Sequence, residues 1–72
     1  SVMCLLKVYV EDEGTGRRLV ARDVALILKE GETVKLRNIE FEETMLTNVD
    51  ISSIDALGSV LILKRREIKS EN

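Results

Sequence analysis

Cys4 is the single cysteine of a 72-residue chain that has no histidine. A thiolate is a soft ligand that holds zinc, copper(I) or nickel, and without histidine an ordinary mixed zinc site cannot be built around it. Two copies of the chain meeting at a two-fold axis could supply two sulfurs where one copy has one. A thiolate this near the chain start also has a terminal amine and backbone nitrogens within reach, and a planar set of nitrogen and sulfur donors suits nickel(II). The competing reading is structural. Strand alternation points Cys4 inward, and free cysteine is among the residue types most often buried as a small apolar side chain.

Other residues with chemical potential read more simply. Gly14-Thr15-Gly16 has the look of a phosphate loop but lacks the following helix that would present N–H groups to an anion, and three acidic residues precede it. A hairpin turn is the better reading. Asp50 and Asp55, with the hydroxyls of Ser52 and Ser53, have neither a histidine nor a neighbouring lysine to activate them, so they read as turn formers and the chain as a non-enzyme. Glu40, Glu42 and Glu43 lack the oxygen-ligand spacing of a calcium loop. The basic run Lys64-Arg65-Arg66, with Lys69 and Arg17-Arg18, could touch an RNA backbone, although a solvated strand end explains it as well.

The elements that must position these groups are short strands. Cys4, Leu6, Val8 and Val10 alternate with Met3, Leu5, Lys7, Tyr9 and Glu11, so the first set faces a core. The Glu11 to Gly16 turn joins that strand to Arg17-Arg18-Leu19-Val20-Ala21. Val24-Ala25-Leu26-Ile27-Leu28 reads as a strand buried on both faces, with room for a helical turn over Ala21 to Val24. Thr33 to Asn38 alternates with Val34 and Leu36 inward. Thr44 to Ile51 reads as one long, bent strand with Asn48 and Asp50 marking a bulge or corner, Ser52 to Gly58 as a turn, and Ser59 to Arg65 as a last strand covered on both faces. The tail from Glu67 to Asn72 is polar. Together these predict an all-β single domain, a small SH3-like or Sm-like antiparallel barrel of five to six short strands.

Size and charge bound the partners. A chain this short buries only about 60% of the surface its unfolded form exposes, and it lacks an internal disulfide or histidine-built zinc site as a staple, so a homodimer is the economical expectation. Eleven basic against thirteen acidic residues, and only Tyr9 and Phe41 as aromatics, disfavour nucleic acid as a partner. No apolar run approaches the ~20 residues that span a bilayer, so no membrane association is expected. A lone thiol with no export signal points to the cytoplasm.

The Met3-Cys4 start, the segment Leu19-Val20-Ala21-Arg22-Asp23-Val24-Ala25-Leu26-Ile27 leading to Glu30-Gly31, then Val34-Lys35-Leu36 and Val49-Asp50-Ile51, make the chain resemble the CooT family. These are small accessory proteins of carbon monoxide dehydrogenase maturation, whose relatives are often labelled RNA-binding. The resemblance covers most of Met3 to Leu63. It implies a homodimeric small β-barrel that binds nickel(II) through the cysteine following the initiator methionine, here Cys4, with the amine and backbone of Met3 as partners. The implied partner is carbon monoxide dehydrogenase or its maturation factors. Ser1-Val2 precede the family's start and read as an expression remnant that converts the amine of Met3 to an amide.

Overall fold

The computed structural model describes residues 5–66. They form six strands, β1 (Leu6–Asp12), β2 (Gly16–Glu30), β3 (Thr33–Asn38), β4 (Glu43–Thr47), β5 (Val49–Asp55) and β6 (Val60–Arg65), with no helix among the described residues. One sheet holds all six in the order β4-β3-β2-β1-β6-β5. The pairing of β1 with β6 is parallel; the other four pairings are antiparallel. The expectation of an all-β fold of five to six strands therefore stands, with six found, while the uniformly antiparallel arrangement does not.

The core forces this sheet to fold over itself. Val8, Val10, Val24, Val34, Leu36, Val49, Leu61 and Leu63 form one cluster and are at most 1% exposed. They come from β1, β2, β3, β5 and β6, and β3 is not a neighbour of β6 in the sheet. Among the described residues no helix covers the apolar face, and curvature of the sheet is what dries it. The hinge is Asp23, whose φ of 53° is left-handed, beside a register slip between Val24 and Leu26. A bulge of this kind sharply bends a strand. Residues 16–30 are thus one bent strand, and the helical turn expected over Ala21 to Val24 is absent.

Beyond the bend, β2 runs back over the first layer, as the hydrogen bonds at the strand ends show. At the end where β1 begins, which we call proximal, Lys7 N donates to Ser59 O (3.0 Å) and Ile39 N to Asp23 O (3.1 Å). At the opposite, distal end, Asn48 N donates to Glu32 O (3.0 Å) and Arg66 N to Asn48 O (2.6 Å). The other five strands therefore run between these two ends, while β2 runs from the distal end to the proximal bend and back.

The predicted barrel does not close. β4 and β5 are the two edges of the sheet, and the single residue between them, Asn48 at φ 59°, turns the chain from pairing with β3 to pairing with β6. Two strands joined end to end through one residue cannot fold back and hydrogen-bond to each other. Of the bulge or corner expected at Asn48 and Asp50, a corner is found at Asn48, and it divides the one long strand expected over residues 44–51 into β4 and β5. The double burial expected over residues 24–28 is not observed: Val24 is buried, but Leu26 and Leu28 stand on the outer face opposite Arg37 and Lys35, and are exposed. In β6, by contrast, Leu61, Ile62 and Leu63 are all buried, as two covered faces require.

Candidate functional site

Cys4 and Met3, the metal ligands that the sequence and the resemblance nominate, lie outside the described residues, and so does Lys69. What the fold places around the start of β1 is described. Leu6 pairs with Val24, and Val24 with Asn38. On the other side Lys7 pairs with Val60, which pairs with Asp55. The beginning of β1 is thus flanked by the β3–β4 loop and by the β5–β6 turn.

Both flanks display apolar side chains. In the β3–β4 loop Phe41 is 79% exposed and Ile39 46% exposed; beside the β5–β6 turn Ile54 is 62% exposed, and in it Leu57 is 99% exposed. Neither loop is loosely held. Asn38 Oδ1 accepts from Glu40 N (2.9 Å) and Glu42 N (3.0 Å), while its Nδ2 donates to Glu42 Oε1 (2.8 Å). This asparagine builds the loop as local Asx hydrogen bonding does. Phe41 N donates to Asn38 O (3.0 Å), and Phe41 is held at φ 66°, a left-handed conformation that is an outlier for a bulky side chain. Across the end, Asp55 Oδ1 accepts from Gly58 N (3.0 Å).

The remaining candidates resolve as structural. Gly14 and Gly16, both at φ 85°, make the β1–β2 hairpin in which Asp12 pairs with Gly16, so the phosphate-loop reading falls. Ser52, Ser53 and Asp55 belong to edge strand β5 rather than to a turn, and Asp50 and Asp55 sit at its two ends, occupied by Arg66 and by the Gly58 amide. Glu42 is taken by Asn38 and Glu43 by Arg37 (2.7 Å). Among the described residues no group of three or more histidine, cysteine, aspartate or glutamate side chains could hold a metal.

The basic cluster is largely self-neutralised. Arg65 meets Asp12 at 2.7 Å, and Arg66 reaches both Asp50 and Glu32. Glu13, Asp50, Lys64, Arg65 and Arg66 line a shallow depression of about 290 Å³ at the distal end. The Arg66 hydrogen bond holds the Asp50 carboxyl below its ordinary pKa, the Arg37 hydrogen bond does the same for Glu43, and Arg66 is itself raised by Asp50. Guanidinium groups so engaged present little uncompensated charge to a phosphate backbone. Arg17, likewise, meets Glu11 at 3.2 Å.

The family model described as CO dehydrogenase accessory protein CooT matches residues 3–64. The chain belongs to the CooT family. The family is named for a protein accessory to the dehydrogenase, and no curated protein matches the chain. Among solved structures, a crystal structure provisionally described as CooT from Carboxydothermus hydrogenoformans is similar in fold, with a TM-score of 0.77 and 17% identity over 89% of this chain and 100% of that one.

Within this CooT-family chain, sequence reasoning missed the two apolar loops that flank the start of β1. A signal for the first was present: an asparagine ahead of Ile39-Glu40-Phe41-Glu42 is the residue type that closes such loops through its side chain. A signal for the second was Leu57 between Asp55 and Gly58, where a turn has no structural use for a large apolar residue.

Proposed function

We propose that this CooT-family protein is a cytoplasmic, non-enzymatic carrier that binds nickel(II) through Cys4, with the backbone of Met3 and its amine when free, and supplies it during maturation of carbon monoxide dehydrogenase. Family membership over residues 3–64 carries the reading. The chemistry fits it: nickel(II) accepts thiolate sulfur together with amine or amide nitrogen in a plane, and the residues that precede Leu5 offer that set. A homodimer brings a second thiol to the ion. The β5–β6 side of the proximal end is suited to a second copy, because Ile54 and Leu57 are apolar there and the Asp55 carboxylate is turned into its own loop. Isologous contact of two such surfaces would set the starts of the two β1 strands near one axis.

Nickel titration of a chain beginning at Met3, against its Cys4→Ala variant, tests the reading, with sedimentation giving the copy number. The intact chain should bind and the variant should not; equal binding by both removes the proposal. A chain carrying Ser1-Val2 should bind more weakly than one starting at Met3, because its first ligand nitrogen is an amide instead of an amine.

A further inference from the structure

The β3–β4 side of the proximal end differs from the β5–β6 side in one respect that decides what can cover it. Phe41 and Ile39 are exposed there in a loop that carries acidic residues: Glu40 next to Phe41 in the chain, Asp23, whose carbonyl holds Ile39 N, on the adjoining bend, and Glu42, whose carboxylate is turned to Asn38. Arg22 is the opposing charge on that bend, while Arg37 is engaged with Glu43. The same surface continues onto the outer sheet face, where Leu26 lies opposite Arg37 and Met45 opposite Lys35. A second copy brought to this loop by a two-fold axis would set carboxylates against carboxylates, which is unfavourable. A partner with an apolar pocket bordered by lysine or arginine would match both the aromatic residue and the acidic residues of its loop.

A loop that holds the Phe41 backbone in a left-handed conformation by its own hydrogen bonds presents a preorganised anchor, because little backbone freedom remains to be lost on binding. Buried aromatic anchors dominate the energetics of protein interfaces. We infer that the β3–β4 loop is the surface on which the metal acceptor docks, Phe41 entering an apolar pocket rimmed by basic side chains on the acceptor. The inference rests on the carrier reading above, and it names the partner's chemistry. Docking here sets the acceptor beside the start of β1, since Val24 pairs with Leu6 on one side and with Asn38 at the base of the loop on the other.

The test uses nickel-free carbon monoxide dehydrogenase, immobilised, with the metal-free chain titrated over it as wild type, Phe41→Gly and Glu40→Lys. Glycine adopts the left-handed φ of position 41 without strain, so the first variant should fold normally, which its urea midpoint checks. Phe41→Gly should weaken association about tenfold or more. Glu40→Lys should weaken it several-fold, and that loss should shrink as salt is raised. Association that depends on Phe41 supports the docking whether or not Cys4 binds nickel. Equal association by wild type and Phe41→Gly, or none by wild type, overturns it even where nickel binding is intact.

Discussion

Replacing Asn38 with alanine should destabilise the protein by roughly 2 kcal/mol, a figure that follows from the three hydrogen bonds its side chain makes within the β3–β4 loop at about 0.5–1.5 kcal/mol each. Half-burial of Asn38 sets the estimate toward the lower part of that range, because water can serve part of the orphaned backbone. Against a total stability on the order of 4–10 kcal/mol for a domain of this length, the loss is large. Asn38→Asp separates the contributions: it keeps an oxygen acceptor for Glu40 N and Glu42 N, loses the donor to Glu42, and adds a like charge beside that carboxylate. It should cost about half as much at neutral pH and recover on mild acidification. Urea unfolding reads both, with a midpoint shift of about 0.7–2 M for the alanine variant at an unchanged slope, given slopes of ~1–3 kcal/mol/M. An alanine variant within about 0.5 kcal/mol of wild type would refute the claim that Asn38 builds the loop, and with it the preorganisation of Phe41.

The core makes a sharper prediction: Leu61→Ala, at a position with no exposure, should cost about 2–5 kcal/mol and leave the protein partly unfolded at 37 °C, as circular dichroism would show. Acid should also weaken the fold. Asp50 and Glu43 have carboxyl groups held below their ordinary pKa by Arg66 and Arg37, so their contribution is present above roughly pH 4–4.5 and is lost as pH falls through the lower folded-state values. The raised pKa of Arg66 has no consequence below strongly alkaline pH. The double variant Asp50→Asn, Glu43→Gln should therefore show a smaller drop in Tm between pH 7 and pH 3 than wild type, and an equal drop would contradict this assignment.

How far the chain could be read depends on which residues carried the pattern. Alternation in Leu6-Val8-Val10 and Val34-Leu36 is real burial alternation: Val8, Val10, Val34 and Leu36 are core in the structure and Leu6 packs half-buried against them. Asn48 was legible as a corner because asparagine tolerates the left-handed conformation it adopts there. The run from Val24 to Leu28 misled, since a continuous apolar stretch signals two covered faces only when something covers the second one; here the outer face stays open and bears Leu26 and Leu28. Ser52 to Asp55 looked like a turn from its polar residues, but an edge strand needs only one covered neighbour and accepts them. The parallel pairing of β1 with β6 was invisible, because alternation fixes which face a residue takes and says nothing about which strand lies beside it. Of the candidate site, the cysteine drew attention through its chemistry, whereas Phe41 and Leu57 become meaningful only once the topology gathers their loops around the start of β1.

That parallel pairing also dictates an order of events. The β1–β2, β2–β3, β3–β4 and β5–β6 pairs each close through a short connection, but the alignment of Lys7 with Val60 must wait for nearly the whole chain to be synthesised and brought round. Closure over so long a separation is entropically slow. The first four strands can collapse early as a meander, leaving β5 and β6 to arrive together as a late hairpin, so the last seam to seal is the one beside the chain's first strand.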